Sequence, residues 1–498
     1  MYDNRIRNKD LLSKVVDADK AALLIEDGMH VATSGFTPSG YPKATPLALA
    51  NQIRNGRKVK INLSTGASVG DELDGELSRS GCIGKRTPYQ TNKSARDAIN
   101  CGNIDYIDQH LSLTGQEIRY GFNGKVDVAI VEACAITEDG NIIPTTSVGN
   151  SPTFIKEADV VIVEINLSQP KELEGMHDIY IPNDPPNRDS IPIKKASDKI
   201  GTPYIECSIE KIKAIVITDI IDNVRPLAPI DDVSIIIANN IIDFLKEEVK
   251  QGRIPKDLLP LQSGVGSVAN AVLAGLLNSD FESIEFYSEV IQDAALDMID
   301  ANKFTTCSGT SITPSEEGLK RFKDNIDFYK DKIILRPQEI SNNPEVARRL
   351  GVISMNTAIE IDIYGNVNST HIMGSKMMNG IGGSGDFTRN AFLSIFITNS
   401  IAKNGDISCI VPMVSHTDHT EHDVKIIITE WGVADLRNKS PKERAIEIIN
   451  NCAHPDYKEK LLNYFKRAVK ETNNAHTPHL LNECYSFHNK FIETGSMR

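Results

Sequence analysis

No apolar run in this chain approaches the roughly 18 residues that a membrane-crossing helix needs. The first ten residues, M-Y-D-N-R-I-R-N-K-D, lack the apolar core of a secretory signal. Cysteine is sparse and scattered: eight residues between Cys82 and Cys484, with no C-x-x-C pair. That pattern argues against a zinc ribbon or a disulfide framework and for reduced, buried thiols. Positive charge is in deficit, 54 Lys and Arg against 67 Asp and Glu, a net charge of −13. Non-specific nucleic-acid binding needs clustered positive charge and is not expected. An anionic substrate must then be met by local donors, since the overall field repels it. The expectation is a cytoplasmic protein with neither a nucleic-acid nor a membrane partner.

Several catalytic signatures are also missing. There is no H-E-x-x-H. Gly380, Gly382 and Gly385 spell G-x-G-x-x-G, but they follow Met377-Met378 in a loop and not a Rossmann strand. A serine nucleophile elbow is not expected, because Gly383-Ser384-Gly385 lacks its spacing. His416 to Asp423, H-T-D-H-T-E-H-D, invites a metal reading. Yet His416, His419 and His422 form an i, i+3, i+6 series that no common zinc signature uses. The favoured reading is a polar turn between strands Ile407 to Val411 and Val424 to Thr429, and no metal is expected.

What is present has the cadence of an α/β protein. At 498 residues the chain is too long for one ordinary core. Ala18 to Glu26 reads as a helix closed by Asp27-Gly28, and Met29 to Thr33 as a strand running into the irregular loop S-G-F-T-P-S-G-Y-P, Ser34 to Pro42. Val59 to Leu63 reads as a strand before the loop Ser64 to Gly70. Val126 to Ala133 and Val160 to Ile165 are near-continuous apolar runs, as in parallel strands covered on both faces. Pro182 to Pro192 is a proline-rich surface excursion. Asn223 to Asp232 interrupts the pattern and suggests domains of 1–225 and 226–498. Beyond it, Val233 to Ala238 as strand and Ile241 to Val249 as helix begin the alternation afresh. A helical, charged tail, packed on the outside, is expected from Ser440. Val128 to Ile142 and Thr357 to Val367 echo each other: each is an apolar strand meeting a Gly-Asn turn, a hairpin signal.

One stretch organises the chemistry. In S-I-E-F-Y-S-E-V-I-Q-D, Ser283 to Asp293, apolar and polar residues alternate as in a half-buried strand, and the spacing turns helical from Asp293. Glu289 therefore falls at a strand end, where ligands gather in open α/β sheets. It is either an exposed charge closing the strand or a functional carboxylate. Gly-rich loops flank it in sequence. Gly264 to Asn270, G-V-G-S-V-A-N, precedes an expected helix Ala271 to Leu277, so Gly264, Gly266, Ser267 and Val268 are placed where backbone N–H groups meet an anion. Asn379 to Phe387, N-G-I-G-G-S-G-D-F, carries four glycines before a helix expected from Thr388. Ordering such a loop is entropically costly, which a plain connector does not require. N–H groups from the two loops suit an oxyanion hole. A glutamate, with an ordinary pKa of about 4.3, is ionised at neutral pH and attacks without a general base. A thioester, with its good leaving group, is a fitting target.

These stretches, S-E-V-I-Q-D, G-V-G-S-V-A-N-A-V-L, N-G-I-G-G-S-G-D-F and T-S-G-F-T-P-S-G-Y-P, together resemble the acetyl-CoA hydrolase/transferase family. These are class I CoA-transferases, and the likeness is nearest to the succinyl-CoA:acetate enzymes. The resemblance runs from Arg5 to about Arg444. It implies two tandem α/β domains of the NagB/RpiA-like kind with mostly parallel sheets, and a homodimer. It implies Glu289 as the nucleophile that forms a glutamyl-CoA thioester, with N–H groups of Val265 and Gly383 as the oxyanion hole. Asn379 and Lys403 fall where the family contacts CoA, and Asn342 where it lines the active site. Ser68, Thr91, Arg225 and Glu430 match positions at the acyl or carboxylate end. Coenzyme A is then substrate and product, with no cofactor permanently bound. Read as residues alone, Arg225 is a bidentate carboxylate holder or a linker charge beside Pro226. Lys403 is a phosphate contact or a solvated charge. Ser68 and Thr91 are ligand-binding hydroxyls or helix caps. The expected activity moves CoA between succinyl-CoA and acetate. The alternatives are an acyl-CoA hydrolase and, in another class, a non-catalytic ligand sensor that has no use for Glu289.

Overall fold

The computed structural model describes residues 4–224, 226 and 229–498. They form two compact units, and the chain passes between them more than once. One unit takes 1–227 and 285–350, the other 228–284 and 351–498. These units do not coincide with the contiguous segments 1–225 and 226–498, because the stretch carrying Glu289 is compact with the N-terminal residues.

The first unit is built on β1 (His30–Thr33), β2 (Ile61–Ser64), β3 (Ile83–Thr87), β4 (Asp105–Tyr106), β5 (Val128–Ile136), β6 (Ile142–Pro144), β7 (Val160–Asn166) and β8 (Ile212–Thr218). The order is β4-β3-β2-β1-β5-β7-β8, parallel throughout, with β6 antiparallel on β5. Every residue of β5 is buried, as expected for a central strand covered on both faces. Val31, Ile61, Leu63, Val128, Ile130 and Ile162 pack against Ala21, Ala48, Leu49, Leu73 and Leu77 in one core. Each fully buried Val, Ile or Leu contributes about 1.5–3 kcal/mol. The helix expected over Ala18 to Glu26 stops at Ala22.

Two carboxylates interrupt the apolar strands, and both are used. Glu164 accepts from the backbone N–H of Lys43 at 2.7 Å, Ala44 at 3.1 Å and Thr45 at 2.6 Å, satisfying the start of helix Ala44–Arg54. Glu132 meets the buried Lys43 ammonium at 2.6 Å, which also reaches Asp222 at 2.8 Å. The 285–350 segment is tied to this unit by bridges of Ser147 with Ser311, Gly149 with Pro337 and His177 with Leu335.

In the second unit, strands Leu261–Ser263, Ile353–Thr357, Leu393–Ile397 and Ile426–Thr429 are parallel neighbours, closed by antiparallel Gly432–Asp435. The strand expected over Val233 to Ala238 is absent; a single helix, Asp232–Lys250, takes its place. Asp231 caps it by accepting from Ser234 N–H at 2.7 Å, and Ile237, Ala238, Ile241, Ile242 and Leu245 recur at helical spacing on the buried face. The cap and the long-range periodicity override the local preference of a β-branched run. The tail is helical as expected, but it is not merely external. Ile448, Ile449, Tyr457, Leu461 and Phe465 enter a core with Ile361, Phe396, Ile410 and Ile427.

Both hairpins suggested by the sequence echo are present. Ile136 pairs with Ile142 around Gly140, and Ile361 pairs with Val367 around Gly365, each glycine at positive φ.

Candidate active site

Glu289 follows strand Ile284–Tyr287 and precedes strand Val290–Ile291, at the switch to helix Asp293–Asp300. Its backbone is held firmly: its carbonyl accepts from Thr310 N–H at 2.8 Å and from Ser311 N–H at 3.2 Å. A Cβ at position 309 would lie 3.1 Å from that carbonyl oxygen, so glycine there permits the close approach. The side chain is half-buried, and its Oε1 accepts from Asn342 Nδ2 at 2.8 Å. Asn342, fully buried, caps the C-terminus of helix Gln338–Ser341. The Ser341 hydroxyl donates to Asn342 Oδ1 at 2.8 Å, which sets the amide so that its NH2 faces the carboxylate. Tyr287 OH donates to Ile340 O at 2.5 Å, tying the short helix to the strand that ends before Glu289. Arg119 braces the same helix, bonding Glu339 at 2.7 Å and Asp184 of the proline-rich excursion at 2.9 Å.

Ser68 and Thr91 come together: the Thr91 N–H and hydroxyl each donate to Ser68 Oγ at 3.0 Å. Neither is a helix cap. Asn92 caps helix Lys93–Asn100 by accepting from Ser94 and Ala95, and Gly70 precedes the turn at Asp71. The sequence does spell G-x-S-x-G once, at Gly66-Ala67-Ser68-Val69-Gly70. That corrects the expectation above, although Ser68 Oγ is engaged by Thr91 and not by a histidine. The neighbours of this pair, Ala67 and Tyr89, pack with Phe36, Leu111 and Val290. Residues flanking the hydroxyl pair, and Phe36 of the Ser34–Pro42 loop, thus share a cluster with Val290, the residue after Glu289. Ser39 Oγ also donates to Ile312 O at 2.9 Å, and Thr37 Oγ1 lies 2.7 Å from Thr313 Oγ1.

The second unit holds the glycine-rich loops. The helix expected from Ala271 begins earlier, at Ser267, with Gly266 preceding it at φ +123°. Ser267 and Val268 thus form a helical first turn, the Gly264 N–H is bonded to Met355 O at 3.1 Å, and the Val265 residue is 53% exposed. In the other loop the helix expected from Thr388 instead ends there: it spans Ser384–Thr388 with Gly383 as its N-cap. Asn356 links the two loops, exchanging amide bonds with Gln262 at 3.3 Å and donating to Thr388 Oγ1 at 3.5 Å. Asn379, at the start of that loop, is half-buried. Glu430 is anchored: it accepts from Ser400 N–H at 2.9 Å and from its hydroxyl, which in turn accepts from Trp431 Nε1 at 3.0 Å. Lys403 is exposed, its ammonium 4.8 Å from the Phe491 ring centroid. Arg225 lies outside the described residues.

The histidines of the His416–Asp423 turn serve separate partners. His416 lies 3.3 Å from Asp418 and stacks on His371, His419 is buried against Phe396, and His422 is exposed. Among the described residues no group of three His, Cys, Asp or Glu is arranged to hold a metal. Chemically, the first unit offers a carboxylate with one oxygen fixed by an amide, at a strand end. That is the equipment of a positioned oxygen nucleophile. Ser341, Tyr287 and Arg119 were not singled out from the sequence, since nothing local marks them.

Residues 1–217 match the acetyl-CoA hydrolase/transferase N-terminal domain, and residues 318–465 match the C-terminal domain. The chain belongs to the acetyl-CoA hydrolase/transferase family. Within it, the chain is 59% identical to the succinyl-CoA:acetate CoA-transferase of Clostridium kluyveri, over 100% of this chain and 92% of that protein. It is 44% identical to an acetyl-CoA hydrolase of Yarrowia lipolytica, over 99% of this chain and 98% of the relative. The crystal structure of RipA from Yersinia pestis superposes with a TM-score of 0.72 at 21% identity, covering 93% of this chain and 98% of the other. That likeness speaks to the fold alone. As in the family, the sheets are mostly parallel in an α/β architecture. No helix among the described residues is long and apolar enough to cross a membrane.

Proposed function

We propose that the protein is a ping-pong CoA-transferase that moves CoA between succinyl-CoA and acetate, with Glu289 as nucleophile. A Glu289 carboxylate oxygen attacks the thioester carbonyl; the C–S bond breaks, CoA thiolate leaves, and an acyl-glutamyl anhydride remains. The thiolate returns to the glutamyl carbonyl, the C–O bond breaks, and succinate departs from a glutamyl-CoA thioester. Acetate then reverses the two steps and leaves as acetyl-CoA. N–H groups of Val265 and Gly383 are the proposed oxyanion donors, each worth about 3 kcal/mol of barrier. Asn379 and Lys403 take the CoA side, and Ser68, Thr91, Arg225 and Glu430 the acyl side. The working form is a cytoplasmic homodimer of tandem 1–225 and 226–498 domains, with no permanently bound cofactor or metal.

The observation that carries this reading is the half-buried Glu289 at a strand end, fixed through one oxygen by Asn342 at 2.8 Å. Such an arrangement orients the carboxylate for attack. The 59% identity to a CoA-transferase supports the substrate pair. The 44% identity to an acetyl-CoA hydrolase supports a second reading, in which water replaces the acceptor. CoA release from succinyl-CoA, followed with and without acetate, separates them. Release that depends on acetate and yields acetyl-CoA is the expected result; equal rates in both conditions select the hydrolase.

A further inference from the structure

The His416–Asp423 turn has no part in the function proposed so far, yet it reaches the loop that carries Gly383. His419 is 3% exposed. Its backbone bonds Val367 in both directions, at 3.1 Å and 2.8 Å, and its ring lies 4.8 Å from that of Phe396. These contacts fix the imidazole, and its Nε2 lies 3.1 Å from Ser384 Oγ. Ser384 follows Gly383 directly, and its hydroxyl donates to Ile381 O at 2.7 Å. The hydroxyl has one hydrogen, and it is committed to Ile381. His419 Nε2 therefore carries the proton in this contact and donates it to Ser384 Oγ. The chain His419, Ser384, Ile381 closes a clamp around the Ile381–Ser384 turn, and the Gly383 N–H lies inside it.

We infer that His419 is a positioning residue for the oxyanion donor at Gly383, acting through Ser384. The inference rests on the proposed role of the Gly383 N–H. A loop with glycines at 380, 382, 383 and 385 has more backbone freedom than one with side chains at those positions. A donor that stabilises a transition state must be preorganised. The asparagine bridge at Thr388 secures the far end of the short helix, and the His419–Ser384 bond secures the near end. The turn's histidine content thereby has a use that involves no metal: a ring rigid enough to aim one N–H.

The test uses the full-length protein and four variants. His419→Phe keeps the ring against Phe396 and removes the donor. Ser384→Ala removes the acceptor. His419→Gln places an amide NH2 near the former Nε2 position, and the double variant His419→Phe/Ser384→Ala reports coupling. Amide hydrogen exchange of the peptide spanning 379–387 is read beside kcat and KM for succinyl-CoA. His419→Phe and Ser384→Ala are each expected to speed exchange in that peptide and to lower kcat about tenfold. KM should stay within about twofold, because the loss falls on the transition state. The double variant is expected to be no worse than either single, and His419→Gln to retain most of the turnover. Unchanged kcat in a folded single variant overturns the inference, even where exchange has quickened. So do losses that multiply in the double variant, or a His419→Gln as poor as His419→Phe. Should His419→Phe not fold, Ser384→Ala alone decides by the same two readouts. Failure of the underlying CoA-transferase reading shows differently, as a wild-type protein that forms no CoA adduct on Glu289.

Discussion

Asn342 Nδ2 donates to Glu289 Oε1 at 2.8 Å, across 53 residues of sequence, so the carboxylate is held in orientation by an amide. An amide is a fitting partner for a nucleophile that must alternate between carboxylate, anhydride and thioester. It orients the group without the charge pairing that would blunt attack. Whether the NH2 or the oxygen faces Glu289 is decided one residue earlier, by the Ser341 hydroxyl on Asn342 Oδ1.

Ser341→Ala removes that hydroxyl and lets the buried amide rotate. We expect stability to fall by about 1 kcal/mol, the ordinary worth of a buried hydrogen bond. The kcat should fall about tenfold while KM for either substrate changes little. Steady-state kinetics and thermal unfolding measure both effects. A variant that loses stability and keeps full kcat would show that Asn342 needs no such orientation.

The Glu289 turn was legible because two periods meet there: alternation through Tyr287, then helical spacing from Asp293. The glycine loops were legible by composition alone. Their local geometry was not, since Ser267 and Ser384 begin helices inside stretches that read as loop. Asp232–Lys250 misled because isoleucine runs favour strands locally, and only the Asp231 cap and the buried spacing reveal the helix. Asn342, Ser341 and Arg119 act through contacts distant in sequence, and no local pattern encodes those. In the histidine turn the spacing argued for a polar turn, but which neighbour each ring meets was not legible, since those partners are distant in sequence.

His177 makes stability sensitive to acid. It is buried, and burial pushes its pKa down to about 4 from an ordinary 6.5, against the support of Thr145 O, which lies 2.9 Å from Nε2. The neutral ring is thus the form the fold accepts. The sign follows: the contribution is fully present above about pH 6.5 and is lost as pH falls towards 4, by up to about 3 kcal/mol. Because His177 bridges to Leu335, loosening should begin in the segment that carries Glu289. Unfolding midpoints measured from pH 7 to pH 4 should fall for wild type and flatten in His177→Gln. A wild-type curve as flat as the variant's would remove His177 as the sensor.

Chelation should leave the reaction untouched. His416, His419 and His422 serve Asp418, Ser384 and solvent respectively, and the chemistry assigned to Glu289 requires no Lewis acid. Prolonged incubation with a chelator, followed by gel filtration, is expected to return full turnover. Activity that disappears and is restored by zinc would reverse this conclusion.

The nucleophile itself admits the most direct test. Glu289→Gln nearly preserves volume, and its half-buried position keeps the expected stability change within about 1 kcal/mol. It removes the anionic oxygen that attacks, so exchange should fall by several orders of magnitude. Glu289→Asp keeps the charge but withdraws it by roughly one methylene, and a displacement on the order of 1 Å costs about 10²-fold in rate. The Asp variant also forfeits the Asn342 contact at its present geometry, so it too should be folded and poor. Mass spectrometry of wild-type protein mixed with succinyl-CoA and no acceptor should find a CoA-sized adduct on the peptide that contains Glu289. Acetate should discharge it as acetyl-CoA, and the Gln variant should never acquire it. An adduct that maps to another residue, or a Gln variant turning over near the wild-type rate, would reduce Glu289 to a charge that closes a strand.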